Sequence, residues 1–227
     1  MTKAEQDIEK KIAAEKATEF VKSGMVIGLG SGSTVYYAVK KLGKLVKKGL
    51  DIIAVSTSDS TTELAQSEGI NLFHINKVDK IDLTIDGADE VDRSFNGIKG
   101  GGGALLFEKI VALSSERNIW IVDSGKVVDK LGNYPLPVEV IPFGYRRVFK
   151  ELEAMKLSPV LRMKGHEYYF TDSRNFILDL HTSGTDDLQK LNDEIKLING
   201  VVETGLFINI ADTVIVGKNN SVEIINK

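Results

Sequence analysis

The spacing of apolar residues changes several times along the chain, and each change marks an element. Over residues 4–22, Ile8, Ile12, Ala13, Ala14, Phe20 and Val21 recur among Lys and Glu at helical spacing and stop at Ser23-Gly24, which predicts an amphipathic first helix. Met25-Val26-Ile27-Gly28-Leu29 is a short unbroken apolar run of the kind found in buried strands, and Gly30-Ser31-Gly32-Ser33-Thr34 turns the chain into a helix reaching about Lys48. Residues 51–56 predict a second strand, and 57–60 cap a helix that reaches about Glu68. Strands follow at 71–75 and 81–85, the second running directly into Asp86. A hairpin-like Asn96-Gly97, a run of glycines, a helix over 104–116 and a strand over 118–122 complete this part. Strands rich in Val and Ile that alternate with helices predict an α/β fold with a doubly wound, mainly parallel sheet.

From Pro135 the order changes. A strand at 138–141, a helix at 145–155, strands at 160–163 and 176–180, a helix at 186–197 and a strand at 201–207 spell β-α-β-β-α-β, the split βαβ (ferredoxin-like) arrangement of a small α+β domain. Segments 213–216 and 222–225 predict a closing hairpin turned at Lys218-Asn219-Asn220. The expected organisation is therefore an α/β catalytic domain from 1–132 and 208–227, with the smaller domain at 133–207.

Composition narrows the function. At 227 residues the chain is long enough to bury a substantial core. A net charge of -3 offers no basic face for a nucleic-acid backbone. No cysteine is present, which excludes disulfides, thiolate metal sites and cysteine nucleophiles. The charged N-terminal stretch is unlike a signal peptide, and no run of about 18 apolar residues appears, so neither export nor a membrane is expected and a cytoplasmic location is.

The chemistry concentrates between residues 86 and 108. Asp86-Gly87-Ala88-Asp89-Glu90 follows the end of a strand, where open α/β sheets bind ligands. The acids fit proton transfer, a solvated acidic turn, or a magnesium site; against a metal stands Lys99, whose ammonium can neutralise carboxylates that share its pocket. Lys99 is followed by Gly100, Gly101, Gly102 and Gly103. Glycine is entropically costly, so four in succession before a helix imply close approach to the backbone. Glu108 has Ala104, Leu105, Val111 and Ala112 as helical neighbours, with Lys109 and Glu116 marking the expected solvent face. A carboxylate so placed is partly desolvated and a better base, unless it pairs with a basic side chain.

Gly28 to Thr34 stands where a dinucleotide fingerprint would, but position 33 is serine rather than glycine and no acid closes the second strand, so NAD is discounted; a P-loop is absent too. Ser31, Gly32, Ser33 and Thr34 remain either a hydroxyl-rich anion site at a helix N-terminus or a simple capped turn. By themselves Lys10 and Lys126 are ordinary surface lysines. His74, His166 and His181 lack metal-like spacing and receive no role.

The motifs from Gly28 to Thr34, Asp86 to Glu90, Lys99 to Leu105 with Glu108-Lys109, and Leu136-Pro137-Val138-Glu139-Val140, in this order and spacing, closely resemble type A ribose-5-phosphate isomerases. Gly200-Val201-Val202 and Gly205-Leu206-Phe207 extend the match over nearly the whole chain. Ser31 stands where many members have threonine, and Gly103 where alanine is common.

The resemblance implies interconversion of ribose 5-phosphate and ribulose 5-phosphate through an enediolate, with no metal or other cofactor. Glu108 would be the base between C2 and C1, Asp86 and Asp89 would serve the sugar hydroxyls, and Lys99 would stabilise the enediolate oxygen. Ser31, Gly32, Ser33, Thr34, Gly100, Gly101, Lys10 and Lys126 would surround the sugar phosphate. It also implies a homodimer or homotetramer. The competing readings are a non-catalytic sugar-phosphate sensor, which needs neither Glu108 nor Lys99, and a related amino-sugar phosphate deaminase or coenzyme A transferase. A deaminase leads one to expect a histidine near the acids, and none is there in sequence.

Overall fold

The computed structural model describes residues 1–182 and 187–227. In chain order its main elements are α1 (Lys3–Ala17), β1 (Val26–Leu29), α2 (Ser33–Val46), β2 (Ile53–Ser56), α3 (Asp59–Ser67), β3 (Asn71–Leu72), β4 (Leu83–Gly87), β5 (Glu90–Val91), β6 (Gly97–Ile98), α4 (Leu105–Leu113), β7 (Asn118–Asp123) and β8 (Leu136–Val140). There follow α5 (Tyr145–Ala154), β9 (Val160–Leu161), β10 (Met163–Lys164), β11 (Glu167–Tyr168), β12 (Phe176–Leu180), α6 (Leu188–Lys196), β13 (Val201–Thr204), β14 (Leu206–Phe207), β15 (Thr213–Lys218) and β16 (Ser221–Asn226). They gather into two compact units, one of Met1–Ala88, Phe107–Val127 and Asn209–Lys227, the other of Asp89–Leu106 and Val128–Ile208.

The first unit holds a seven-stranded sheet in the order β16-β15-β7-β4-β1-β2-β3. Every neighbouring pair is parallel except β15 with β16. The apolar strands are buried because helices cover them: Ala13, Ala14 and Ala17 of α1 and Val35, Ala38, Val39 and Leu42 of α2 share one core with Ile27, Leu29, Ile85, Ile121 and Ile215. Val55, Ile81 and Val111 form a second cluster.

Helix α1 begins with a capping box, in which Thr2 Oγ1 accepts from Glu5 N at 3.3 Å and Glu5 Oε2 accepts from Thr2 N at 2.7 Å. It is anchored at its buried Glu9, whose carboxylate accepts from Ser124 N (2.8 Å), Ser124 Oγ (2.7 Å) and Asn219 N (2.8 Å). Burial raises this carboxyl's pKa, but the amide of Asn219 and the hydroxyl and amide of Ser124 outweigh it, and the net pKa is lowered. A depressed carboxyl contributes stability that is fully present above the unfolded value of about 4.3 and is lost as pH falls through the folded value. Glu9→Gln is therefore expected to cost about 2 kcal/mol at neutral pH, and the difference from wild type to shrink in acid, as read by denaturant titration at several pH values.

In the second unit, β8, β9, β12 and β13 form an antiparallel sheet in the order β13-β8-β12-β9. Numbered within β-α-β-β-α-β this order is 4-1-3-2, as the split βαβ pattern predicts. Val148 and Leu152 of α5 and Leu191 and Ile195 of α6 bury against Val138, Val140, Leu178 and Leu180. The predicted helix start at Asp186 lies outside the described residues; α6 is capped by Asp187, whose Oδ1 accepts from Lys190 N at 2.9 Å.

The strand predicted over 201–207 breaks at Gly205. Its N–H donates to Pro137 O (2.7 Å) and its carbonyl accepts from Lys99 N (2.9 Å), and a side chain there would overlap the Lys99 carbonyl. β14 consequently leaves the four-stranded sheet and pairs with β6, which pairs in turn with β5. Through this pairing residues 89–106 fold with the second unit, although they precede the boundary expected at 132/133. The strand predicted over 160–163 likewise stops at Leu161, and β10 and β11 form a separate hairpin.

Candidate functional site

In the first unit β1 lies between β4 and β2, and the chain runs outward from it in both directions, which makes the β1/β4 boundary a topological switch point. Asp86 stands at the C-terminal end of β4, 1% exposed, and its Oδ1 accepts from Ser31 N (3.2 Å) and Gly87 N (2.7 Å). Gly30 makes this seat possible, because any side chain at that position would overlap the Asp86 carboxylate.

The turn after β1 divides its labour. Ser31 Oγ donates to Ser58 Oγ at 2.7 Å and lies 2.8 Å from Thr57 Oγ1, while Thr61 Oγ1 donates to Gly30 O at 2.8 Å, so the hydroxyls stitch the turn to the end of β2 and the start of α3. Gly32 adopts φ 102° and leaves the start of α2 with no side-chain cap. The first-turn amides of a 14-residue helix, Ser33 and Thr34 among them, are thus presented with a favourable dipole for an anion. A groove of about 750 Å³ opens alongside, lined in part by Gly32, Ser33, Tyr36, Thr61 and Leu64.

The two lysines flank a contact between α1 and the turn that follows β7. Asp123 ends β7 and caps a short 3-10 turn, Ser124–Lys126, by accepting from Gly125 N at 3.2 Å. Glu9 holds that turn from α1 through Ser124, which places Lys10 next to one end of the contact and Lys126 at the close of the turn, both half-buried.

Glu108 sits in the first turn of α4 and is 5% exposed. Ala104, Leu105, Val111 and Ala112 are all buried, as their spacing predicted. The expected solvent face was misplaced: Lys109 is itself buried and Glu116 lies beyond the helix, while Phe107, Ile110 and Leu113 form the exposed stripe. Positions 107, 110 and 113 share one face at the i, i+3 period, and both ionisable residues of the helix turn inward.

The second unit contains Asp89, Lys99 and the glycines. Asp89 N donates to Ile98 O at 2.8 Å, and Asp89 Oδ2 accepts from Gly101 N at 2.7 Å. Its neighbour Glu90 has a structural task, accepting from Gly132 N (2.8 Å) and Tyr134 N (2.7 Å). Lys99 is 2% exposed, with Nζ 5.1 Å from the centre of the Phe207 ring, a cation–π distance. Gly100 and Gly103 have φ of 102° and 84°; a side chain at Gly103 would overlap Tyr169 Oη, and one at Gly101 would come 2.6 Å from Asp89 Oδ1.

Sequence reasoning missed the residues that hold this loop. Arg162 Nη1 donates to Gly100 O (2.9 Å) and Gly101 O (3.1 Å), and Tyr169 Oη donates to Gly102 O (2.9 Å). The available signal was an arginine and an aspartate, Asp179, each embedded in an otherwise apolar strand pattern. Among the described residues no group of three or more His, Cys, Asp or Glu is disposed to hold a metal ion, and no helix is long and apolar enough to cross a membrane.

The profile of ribose 5-phosphate isomerase A (phosphoriboisomerase A) matches residues 53–221. Ribose-5-phosphate isomerase A of Bifidobacterium adolescentis is 52% identical over 97% of this chain and 96% of its own length. That of Limosilactobacillus reuteri is 52% identical over 94% and 95%. Among solved structures, ribose 5-phosphate isomerase from Plasmodium falciparum superposes with a TM-score of 0.94 at 38% identity, covering 97% of this chain and 99% of that one. The mainly parallel α/β sheet with its small antiparallel companion is therefore the fold of an established enzyme family. This chain belongs to the ribose 5-phosphate isomerase A family.

Proposed function

We propose that this chain interconverts D-ribose 5-phosphate and D-ribulose 5-phosphate by moving a proton between C2 and C1 through an enediolate. The observation that carries the reading is near-full-length similarity, at about half of all positions, to proteins that bear this activity in their names. Glu108 takes the C2 proton and returns it at C1. Asp86 and Asp89, separated in the chain only by Gly87 and Ala88, serve the sugar oxygens, assisting ring opening and the transfer of protons between O1 and O2. Lys99 stabilises the negative charge that develops on the enediolate oxygen, with Gly100 and Gly101 closing around the reacting end.

General acid–base help contributes roughly 10²- to 10⁴-fold, so the remaining acceleration falls to electrostatic preorganisation. The phosphate is held by the uncapped amides at Ser33 and Thr34, with Lys10 and Lys126 at the rim; Gly32 supplies the bend, and Ser31 shapes the turn with its committed hydroxyl. A solved structure 41% identical to this chain is a D-ribose-5-phosphate isomerase in complex with phospho-erythronic acid, a phosphorylated ligand in keeping with such a site. The enzyme acts without a metal, in the cytoplasm, as a homodimer or homotetramer, in the non-oxidative branch of the pentose phosphate pathway.

The test is to follow ribulose 5-phosphate formation from ribose 5-phosphate with and without a chelator. Equal rates are expected. Loss of activity in chelator would require a metal, and binding of ribose 5-phosphate without turnover would identify a sensor instead.

A further inference from the structure

Four glycines carry no side chains with which to fix their own orientation, so the peptide planes of residues 100–103 must be set by what touches their backbone. Three successive carbonyls of this loop are held by side chains remote in sequence: Arg162 takes those of Gly100 and Gly101, and Tyr169 that of Gly102. Arg162 is itself fixed. Its Nε donates to Asp179 Oδ2 at 2.9 Å and its Nη2 to Asp179 Oδ1 at 2.5 Å, a forked pair with side chains only 13% and 20% exposed, and the Tyr169 ring lies 5.7 Å from the guanidinium carbon. Burial pulls the arginine's pKa down, but the hydrogen bonds and charge of Asp179 outweigh it, so the group stays cationic.

The peptide joining Gly100 to Gly101 carries the consequence. Among the described residues no peptide is cis, so the Gly101 N–H points away from the Gly100 carbonyl. The oxygen of this one plane meets Arg162, and its N–H meets Asp89 Oδ2 at 2.7 Å. A cation on the oxygen polarises the amide and strengthens the bond that its N–H donates, because hydrogen bonds in series reinforce one another. The order is Asp179, Arg162, peptide, Asp89.

We propose that Arg162 is a positioning residue for the isomerisation, acting through the Gly100–Gly101 peptide to fix and polarise the amide that holds Asp89. The proposal rests on the assignment of Asp89 to the sugar oxygens. Arg162 needs no contact with substrate, and its guanidinium fork is what allows one side chain to hold a carboxylate and two carbonyls together; an ammonium has no such fork.

The experiment compares Arg162→Met, Arg162→Lys and the double variant Arg162→Met/Asp179→Leu, which removes both charges and leaves neither buried alone. For Arg162→Met kcat is expected to fall about 30-fold while KM changes less than about threefold, since a mispositioned group away from the chemistry costs up to about 10²-fold. The Gly101 amide proton is expected to move upfield as its bond to Asp89 weakens. Arg162→Lys should recover part of kcat, and the double variant should stay folded and remain as slow as Arg162→Met.

Wild-type kcat in Arg162→Met or in the double variant, or an unmoved Gly101 amide, would overturn the proposal. Asp89→Asn separates the two levels of the argument. If it turns over at the wild-type rate, the assignment of Asp89 fails and takes the proposal with it. If it is slow while the Gly101 amide ignores Arg162, the proposal alone fails.

Discussion

Glu108→Gln is expected to lower kcat for ribose 5-phosphate by roughly 10³- to 10⁴-fold, at the upper end of what a general base supplies. The substitution keeps the shape of the side chain but replaces the basic carboxylate that accepts the C2 proton with a neutral amide, which is too weak a base to take it. Glu108 is 5% exposed, and its helical neighbours Leu105, Val111 and Ala112 are buried with it, so bulk water is poorly placed to substitute as base. Substrate binding should survive, because the phosphate is assigned to the α2 N-terminus and the rim lysines. The measurements are kcat, KM and direct binding by calorimetry, together with exchange of the C2 hydrogen for solvent deuterium. Activity within tenfold of wild type would place the base elsewhere.

Lys99→Met comes next, with an expected loss in kcat of about 10²- to 10³-fold, the range for removing one preorganised donor from a developing oxyanion. Methionine has a similar reach and keeps the packing on Phe207 while abolishing the cation–π contact. The fold should tolerate it, since the strand-like attachment at this point is the backbone bond from Lys99 N to Gly205 O, which is indifferent to the side chain. A discriminating readout is the affinity for phospho-erythronic acid. If Lys99 acts on charge at the reacting end, affinity for this acid should fall by a factor comparable to kcat, while affinity for the uncharged end of ribose 5-phosphate barely changes. Equal losses for both would assign Lys99 to uniform binding.

Much of this molecule was legible where sequence period and chemistry agree. The strand at Phe176–Leu180 coincides with its predicted limits, the alternation of buried strands with helices led to the parallel sheet, and the β-α-β-β-α-β sequence of elements led to the split βαβ arrangement of the smaller one. The three-stranded sheet of β5, β6 and β14 was not legible, because two-residue strands are too short to show a period. It forms where Gly205 allows two backbones to approach, and that is a tertiary fact.

Helix α4 misled for a different reason. Lys109 looks like a solvent residue by type, yet its helix exposes Phe107, Ile110 and Leu113 instead. At the site, the acids, Lys99 and the glycines stood out because their residue types are hard to explain otherwise. Arg162 and Tyr169 did not, since they reach the loop from 62 and 67 residues away, and a lone arginine in an apolar strand pattern does not say which loop it holds.

The three segments that build the first unit impose a schedule on synthesis. Its sheet needs β15 between β7 and β16, and β15 begins at Thr213, whereas both segments of the second unit, 89–106 and 128–208, leave the ribosome earlier. The unit that is started first is therefore the last that can close. Until β15 arrives, the apolar β7 carries an open parallel edge, the kind of surface that invites pairing with another nascent chain. A truncation before Thr213 should leave that edge permanently open and yield a chain held by chaperones or lost to aggregates, with every residue of the proposed chemistry still in place.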